Sequence, residues 1–270
     1  MNSIHPVKIA VVGAGNVGAS FAYTLLLSGL ATEIILIDKN RARAAGEVMD
    51  LHYAVPFAHQ TEIRAGDLRD TAGAAITVIC AGLRQKPGQS EMDLLTVTDS
   101  ARFCYLLGNH FHVDPASVQA YVMGAHGETE FPAWSSANIA GVPIREMCSA
   151  HGCNPAVLDE LFHQTREANN GMIDYKGSSC YAIAAALTRI AASILRNEKR
   201  IFTVSTVLQR EYGVSEVALS VPTVMGGSGV ERILHVGLSD QEVGQFLACG
   251  REVQHGIEEA EFVVQAGMRS

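Results

Sequence analysis

A glycine-rich turn between two apolar runs, near the start of the chain, constrains the fold more than any other feature. The first run, residues 7–12, leads into a G-x-G-x-x-G pattern at residues 13–18, and the second run, residues 33–37, ends at Asp38. Short apolar runs bounded by glycine are typical of strands buried on both faces of a parallel sheet. The residues between the runs have helix-compatible spacing, so this stretch predicts a β-α-β unit.

The three glycines and the acid have separate expected tasks. Gly13 permits a tight turn, Gly15 lets the backbone approach a pyrophosphate, and Gly18 allows the helix to pack closely on the strand. Asp38 follows Gly18 by 20 residues, where a carboxylate accepts hydrogen bonds from ribose hydroxyls and repels a 2′-phosphate. The pattern therefore predicts NAD rather than NADP. A glycine turn without any ligand is the alternative, and the flanking strands with the correctly spaced acid argue against it.

The remaining pattern predicts two domains. A third buried strand over residues 75–82 ends in Ala81 and Gly82, small residues that allow a nucleotide to approach closely. Further helices are predicted over residues 41–54, 91–111, 154–175, 178–197 and 239–267, and strands over 60–64, 119–123, 200–209, 216–224 and 230–235. We predict a Rossmann-type doubly wound, mainly parallel α/β sheet in residues 1–115, followed by an α+β domain in residues 116–270.

Composition excludes several classes of protein. Of the 270 residues 48% are hydrophobic, which argues against disorder. The net charge of −8 without a Lys/Arg cluster argues against nucleic acid as a partner. No apolar run reaches the roughly 18 residues of a membrane span. The six cysteines show no disulfide-like framework, which predicts a cytoplasmic protein, and Cys148, His151 and Cys153 lack the spacing of a zinc site, so no metal is predicted.

Three charged residues suggest proton chemistry. Asp99 and Arg102 lie three residues apart, hence on one helical face, and His126 lies between Gly124 and Gly127 at a predicted strand end. In isolation the first two would be read as a surface ion pair. The three residues make sense as one group, because an Asp can orient an imidazole while an Arg binds a carboxylate through two hydrogen bonds. That combination suits proton transfer to or from an alcohol oxygen alongside hydride transfer.

Further motifs complete a family pattern. Beside residues 13–18, Asp38 and Ala81-Gly82, these are Gln85-Lys-Pro-Gly88, Asp99-Ser-Ala-Arg-Phe103, Gly124-Ala-His-Gly-Glu128, Trp134-Ser-Ser136 and Lys176-Gly177. Over nearly its whole length the chain resembles the L-lactate/malate dehydrogenase family. The resemblance implies a cytoplasmic, homotetrameric NAD-dependent enzyme of fermentation that interconverts lactate and pyruvate. It implies His126 as acid/base, Asp99 as its partner and Arg102 as the carboxylate anchor. The implied cofactor-binding residues are Gly13, Gly15, Asn16, Val17, Gly18, Asp38, Arg43, Ala81 and Gly82.

The resemblance also bears on the substrate. Gln85 falls at the position that distinguishes substrates in the family, where malate dehydrogenases carry arginine to pair with a second carboxylate. A neutral Gln favours lactate, with malate as the alternative. Ser179 lies where lactate dehydrogenases usually have threonine near the substrate. Cys104 and Gln119 replace the Arg and His of relatives activated by fructose 1,6-bisphosphate, so that effector is not expected.

Two departures raise a different-class alternative, an impaired or inactive homologue that binds NAD or a subunit partner. Glu91 stands where the family has the arginine that polarises the substrate carbonyl. The chain also passes directly from Leu95 to Thr96, where the family has on the order of fifty more residues, more than one β-α-β unit of roughly 30. The resemblance therefore implies that the sheet of residues 1–115 is truncated in its second half. We expect a fused helix over residues 91–111 that draws Asp99 and Arg102 away from His126. We also expect residues 76–81 to become an edge strand.

Overall fold

The computed structural model describes residues 7–82 and 96–267. The predictions for Gln85, for Glu91 and for the loop around them lie outside these residues. The described chain forms two compact units. The first contains residues 7–82 with Met172–Lys199 and Met225–Gly229, and the second contains residues 96–171 with Arg200–Val224 and 230–267. The division into domains at residue 115 stays a prediction.

The first unit is built on a four-stranded parallel sheet. Its strands are β1 (Lys8–Val12), β2 (Glu33–Ile37), β3 (Glu62–Gly66) and β4 (Ile76–Ile79), in the order β3-β2-β1-β4. Helix α1 (Asn16–Ser28) joins β1 to β2, and α2 (Arg41–Ala54) joins β2 to β3. The middle of β1 and β2 is buried on both faces, as continuous apolar runs predict. Val12 aligns with both Ile37 and Ile79, so three carboxyl ends meet at one edge.

A helix from late in the chain completes this unit. Helix α6 (Tyr181–Leu195) packs on α1, where the Thr24 and Thr188 hydroxyls share a hydrogen bond of 2.6 Å. Its Ala184 and Ala191 are buried in the same core as Phe21 of α1. Alanines on the contact face let the two helix axes approach closely, which fixes the residues just before α6 near the glycine turn.

Strand β4 lies at the edge of the sheet within the described residues, where it pairs only with β1. The side chain of Ile79, at its carboxyl end, is 74% exposed. This arrangement agrees with the expected edge strand at residues 76–81.

The second unit surrounds helix α3 (Thr96–Phe111) with short sheets and helices. Its elements are β5 (Val118–Gln119), β6 (Val122–Met123), β7 (Phe131–Pro132), β8 (Asn138–Ile139), β9 (Val142–Pro143), α4 (Ile144–Ala150), α5 (Ala156–Lys176), β10 (Arg200–Gln209), β11 (Ser215–Gly226), β12 (Gly229–Ile233) and α7 (Asp240–Gly267), some of which extend into the first unit. Phe103 of α3 is fully buried and makes edge contacts with Trp134 and Phe162. One three-stranded sheet of this unit has the order β10-β11-β12, and another has the order β5-β8-β9.

Two details of this unit differ from the sequence prediction. The single strand expected over residues 119–123 is two strands, because β5 pairs with β8 while β6 pairs with β7. The structure also joins Cys148 and Cys153 in a disulfide with Cα atoms 5.1 Å apart. The expectation of unpaired cysteines is therefore wrong for these two. The turn after α4, with Gly152 at φ +67°, brings Cys153 back beside Cys148, which the sequence spacing did not reveal.

No helix among the described residues combines the length and the apolar character needed to cross a membrane.

Candidate active site and nucleotide site

The glycine turn brings the end of β1 close to the end of β4. Gly13 has φ +104°, and an added Cβ would lie 2.6 Å from the backbone nitrogen of Ala81. A Cβ on Gly18 would overlap the carbonyl oxygen of Gly13. A Cβ on Gly15 would meet nothing within 4 Å, because this residue faces open space at the start of α1. Packing therefore requires glycine at Gly13 and Gly18, whereas Gly15 leaves room for a ligand beside the helix N-terminus.

Asp38 is oriented by two backbone groups. Its Oδ2 accepts a hydrogen bond of 2.8 Å from the N–H of Ala14, and its Oδ1 accepts one of 2.8 Å from the N–H of Asn40. The hydrogen bond from Asn40, with smaller effects from Ala14 and Arg43, lowers the pKa of Asp38. The carboxylate is therefore ionised and fixed at the end of β2, ready to accept from a ribose diol.

These residues line one cavity of about 1040 Å³ within the first unit. The predicted cofactor-binding residues on its wall are Gly13, Gly15, Asn16, Val17, Asp38, Arg43, Ala81 and Gly82, whereas Gly18 is buried in α1 and is not part of the wall. The Asn16 amide donates to the hydroxyl of Ser178, 2.8 Å away, and accepts at 3.5 Å from Arg43. The cavity has a glycine-lined floor, a helix N-terminus and a diol acceptor, which fits an adenine dinucleotide.

Asp99, Arg102 and His126 meet in the second unit. Asp99 is fully buried; its Oδ2 lies 2.6 Å from Nδ1 of His126, and its Oδ1 accepts at 2.8 Å from Nη1 of Arg102. The expectation that a missing segment draws Asp99 and Arg102 away from His126 is therefore wrong. Within the described residues α3 begins at Thr96; the part of the fused-helix prediction on residues 91–95 lies outside them.

Contacts later in the chain explain why α3 keeps its position. The hydroxyl of Thr96 lies 2.5 Å from that of Ser220. The hydroxyl of Ser100 accepts from the N–H of Val122 and donates to the hydroxyl of Thr203, 3.1 Å away. The first turn of α3 is thus held by buried hydrogen bonds to β6, β10 and β11, none of which depends on the residues that precede the helix.

The segment that carries His126 is held by the same sheet. Gly124 exchanges two backbone hydrogen bonds with Ser220, of 3.1 and 2.9 Å. Gly127 has φ +118°, a conformation that side chains disfavour. A sharp turn between fixed points therefore aims the imidazole at the first turn of α3.

Arg102 contacts its neighbours through one guanidinium nitrogen. Its Nη1 donates to Asp99 and also, at 2.8 Å, to the carbonyl oxygen of Thr165 in α5. Both hydrogen bonds that the described residues make with this guanidinium start from Nη1. Nη2 and Nε make none with the described residues, and two such N–H groups in one plane match the geometry of a carboxylate.

A second acid stands beside the imidazole. Oε2 of Glu130 lies 3.4 Å from Nδ1 of His126, and Glu130 is 4% exposed. Burial by itself lowers the pKa of His126, but the hydrogen bond to Asp99 and the nearby carboxylates of Asp99 and Glu130 outweigh it and raise that pKa to about 10. Burial raises the pKa of Glu130; His126 opposes this effect and the charge of Asp99 adds to it. The two carboxylates thus favour the protonated form of His126.

Donor atoms of Asp99, His126 and Glu130 lie within 4.8 Å of one another. Zinc ligands at about 2.0–2.1 Å from a tetrahedral ion are roughly 3.3 Å apart. The 2.6 Å separation of Nδ1 and the Asp99 oxygen is that of a hydrogen bond. The cluster is arranged for proton sharing.

Sequence reasoning missed two contributors. Glu130 follows His126 by four residues in a G-A-H-G-E-T-E run. An acid so close in sequence to the histidine was the signal that could have identified it. Ser178 lines the nucleotide cavity, whereas the predicted substrate residue Ser179 lies next to it in the connection between α5 and α6 and is half-buried.

Comparison with known proteins agrees with this geometry. The description "lactate/malate dehydrogenase, NAD binding domain" matches residues 7–101, and "lactate/malate dehydrogenase, alpha/beta C-terminal domain" matches residues 96–263. The chain belongs to the lactate/malate dehydrogenase family. It is an NAD-dependent 2-hydroxy-acid dehydrogenase by family. The predicted Rossmann-type sheet is confirmed, and the C-terminal domain, predicted as α+β, is the alpha/beta C-terminal domain of this family.

Similar members of the lactate/malate dehydrogenase family span nearly the whole chain. An L-lactate dehydrogenase of Acetivibrio thermocellus is 40% identical over 304 aligned positions, covering 93% of this chain and 96% of the relative. A probable L-lactate dehydrogenase of Schizosaccharomyces pombe is 35% identical over 311 positions, covering 95% and 94%. Both alignments are longer than the 270 residues of the chain, so parts of these relatives have no counterpart here. The position of the gap, at Leu95–Thr96, stays a prediction.

Solved structures of lactate dehydrogenases share this fold. A lactate dehydrogenase enzyme from a Medee basin deep-sea metagenome library has a TM-score of 0.88 at 27% identity, covering 94% of this chain and 99% of its own. The minor L-lactate dehydrogenase of Enterococcus mundtii, in a ligands-bound form, also has a TM-score of 0.88 at 27% identity, and the match covers 94% of this chain and 98% of that enzyme's chain. The agreement supports the two family domains over nearly their full length.

Proposed function

We propose that the protein is an NAD-dependent L-lactate dehydrogenase that interconverts (S)-lactate and pyruvate. The single observation that carries this proposal is the buried carboxylate of Asp99, which bonds His126 through one oxygen and Arg102 through the other. One acid thereby orients a proton donor and an anion-binding group toward the same small molecule. A 2-oxoacid presents the two matching groups, a carbonyl oxygen and an adjacent carboxylate.

Each residue has a defined task in this proposal. The hydrogen bond to Asp99 uses Nδ1 of His126, so Nε2 exchanges the proton with the substrate oxygen. Arg102 binds the substrate carboxylate through Nη2 and Nε. Bound NAD supplies the hydride acceptor for lactate, and NADH supplies the donor for pyruvate. The neutral Gln85 suits the methyl group of lactate, and Ser179 contributes to the substrate site.

The cofactor preference follows from Asp38. Its ionised carboxylate lies at the cavity wall and would repel a 2′-phosphate, whereas ribose hydroxyls can donate to it. Arg43 has its side chain next to Asn16 on the same wall. We therefore propose NAD(H) over NADP(H). We also propose a cytoplasmic homo-oligomer, as the family resemblance implies, with no effector role for fructose 1,6-bisphosphate.

A second candidate is an NAD-binding homologue with weak turnover. Glu91 replaces the expected carbonyl-polarising arginine, and the removal of such a donor typically costs about 2.7–4 kcal/mol of transition-state stabilisation. The alignments to longer relatives favour the same reading.

Two measurements on the purified protein separate these candidates. NADH binding is followed by fluorescence titration, and NADH oxidation is followed by absorbance with pyruvate or with oxaloacetate. A lactate dehydrogenase binds NADH and turns over with pyruvate in preference to oxaloacetate. Binding without turnover of either acid supports the second candidate, and a preference for oxaloacetate assigns the protein to the malate branch.

A further inference from the structure

Glu130 is a buried acid to which the proposed reaction gives no task. Its Oε2 has no hydrogen-bond partner among the described residues and is buried from solvent. Nδ1 of His126 lies 3.4 Å from this oxygen, and the donor atoms of Asp99, His126 and Glu130 all lie within 4.8 Å of one another. A buried carboxylate oxygen without a hydrogen-bond partner destabilises the folded state. A charge-dependent interaction with the imidazole offsets this cost, but only while His126 carries a proton.

The charged groups around His126 favour one protonation state. From α3, Asp99 and Arg102 face the imidazole directly or through one contact. Glu130 belongs to the same segment as His126. Cys249 of α7 packs against this segment, where its thiol donates to the carbonyl oxygen of Thr129; burial raises the pKa of this thiol, so it adds no charge. Burial and the charge of Asp99 raise the pKa of Glu130, whereas a positive charge on His126 opposes this rise. The ionised form of Glu130 is therefore favoured when His126 is an imidazolium.

The hydrogen-bond geometry shows that Glu130 acts differently from Asp99. The N–H at Nδ1 points to Asp99, whose oxygen is 2.6 Å away, and leaves Glu130 at 3.4 Å without a donor. Asp99 therefore orients the ring, while Glu130 interacts with its charge. We propose that Glu130 is a second carboxylate partner of His126, a positioning residue that acts through the imidazole and biases it toward the protonated form. The inference deepens the proposed function and rests on it.

This arrangement has a consequence for the direction of the reaction. Reduction of a ketone requires His126 as a proton donor, and oxidation of an alcohol requires the neutral ring as an acceptor. A second carboxylate favours the donor form. Glu130→Gln keeps the size of the side chain and removes its charge, so it shifts the pH at which His126 loses its proton downward. Charges of opposite sign within about 4–6 Å typically change such a midpoint by about 1–3 pH units.

The test is an NMR titration of the imidazole of His126, identified by comparison with His126→Asn, in the native protein and in Glu130→Gln. We expect the midpoint in Glu130→Gln to be about 1–3 pH units lower. Glu130→Asp, which retains the charge, is expected to restore part of the difference. Glu146→Gln removes an exposed carboxylate from α4 of the same unit and is expected to leave the midpoint unchanged. Equal midpoints in Glu130→Gln and the native protein would overturn the inference.

A second measurement needs no variant at position 130. In the native protein labelled at glutamate carboxyl carbons, the Glu130 signal is expected to show a titration step in common with His126, since interacting groups share macroscopic steps. Absence of any common step would also overturn the inference. Neither titration uses a substrate, so failure of pyruvate reduction tests the proposed function alone. Where reduction is measurable, the alkaline limb of kcat/KM moves to lower pH in Glu130→Gln by the same amount as the midpoint.

Discussion

Replacement of Asp99 by Asn tests how the site works. The variant keeps the side-chain size but removes the charge that joins His126 and Arg102, at 2.6 and 2.8 Å respectively. An opposite charge at this range raises the pKa of an imidazole by about 1–3 units, equivalent to about 1.4–4 kcal/mol in favour of its charged form. Removal of one member of a buried ionic network also costs about 3–5 kcal/mol of folding stability.

The sign of the pH dependence follows from the raised pKa of His126. In the folded protein this pKa is about 10, against an ordinary value of 6.5. The stability that it contributes is fully present below pH 6.5 and is lost as the pH rises toward about 10. The stability difference between the native protein and Asp99→Asn should therefore be larger at pH 6 than at pH 9. Pyruvate reduction should fall by on the order of 10²–10⁴-fold, the usual contribution of a positioned acid.

The assay combines urea unfolding at pH 6 and pH 9 with a pH profile of kcat/KM for pyruvate. Asp50→Asn removes an exposed carboxylate from α2 and serves as the control for net charge. We expect the alkaline limb of the Asp99→Asn profile to move to lower pH and that of the control to stay in place. An Asp99→Asn protein with the native pH profile and native turnover would refute the assigned role of Asp99.

Three further predictions concern single residues, and the first has Gly46→Ala as its matched control. Gly18→Ala places a methyl group on the carbonyl of Gly13, so we expect a loss of about 1–3 kcal/mol in urea unfolding and weaker NADH binding in a fluorescence titration. Gly46→Ala, in open space on α2, should instead stabilise by up to about 1 kcal/mol. Asp38→Asn should weaken NADH binding and strengthen NADPH binding; unchanged dissociation constants would contradict the role of Asp38. Burial raises the pKa of Glu242, but hydrogen bonds from Ser135 and Ser239 outweigh this and lower it below 4.5. Its contribution is present above pH 4.5 and is lost as the pH falls through the lowered pKa, so Glu242→Gln should cost about 1–3 kcal/mol at pH 7 and less at pH 4.

The nucleotide unit could be predicted from local sequence because its constraints are local. Gly13 and Gly18 specify a turn that has no room for a Cβ at either position, and the apolar runs on either side specify buried parallel strands. The helix predicted over residues 41–54 has those limits in the structure. The packing of α6 on α1 could not be predicted in the same way, because Thr24 and Thr188 are far apart in sequence and meet only through tertiary contacts.

The site residues of the second unit were named by resemblance, but their geometry was predicted wrongly. The expectation that Asp99 would lose His126 treated α3 as positioned by the residues before it. Its position is instead fixed by Ser220 and by Thr203 on strands that come about a hundred residues later. Such long-range hydrogen bonds leave no periodic signal in a sequence. The disulfide of Cys148 escaped prediction for a similar reason, since it depends on the turn geometry after α4.

The most direct test of hydride transfer with His126 as proton donor is a single-turnover experiment with isotopically labelled cofactor. The protein, in excess over NADH deuterated at the transferable position, is mixed with pyruvate, and lactate is analysed by chiral chromatography and mass spectrometry. We predict L-lactate with deuterium at C2 from the native protein, and a strongly reduced yield from His126→Asn at equal NADH binding. Lactate without deuterium, or an equal yield from both proteins, would contradict the assigned mechanism.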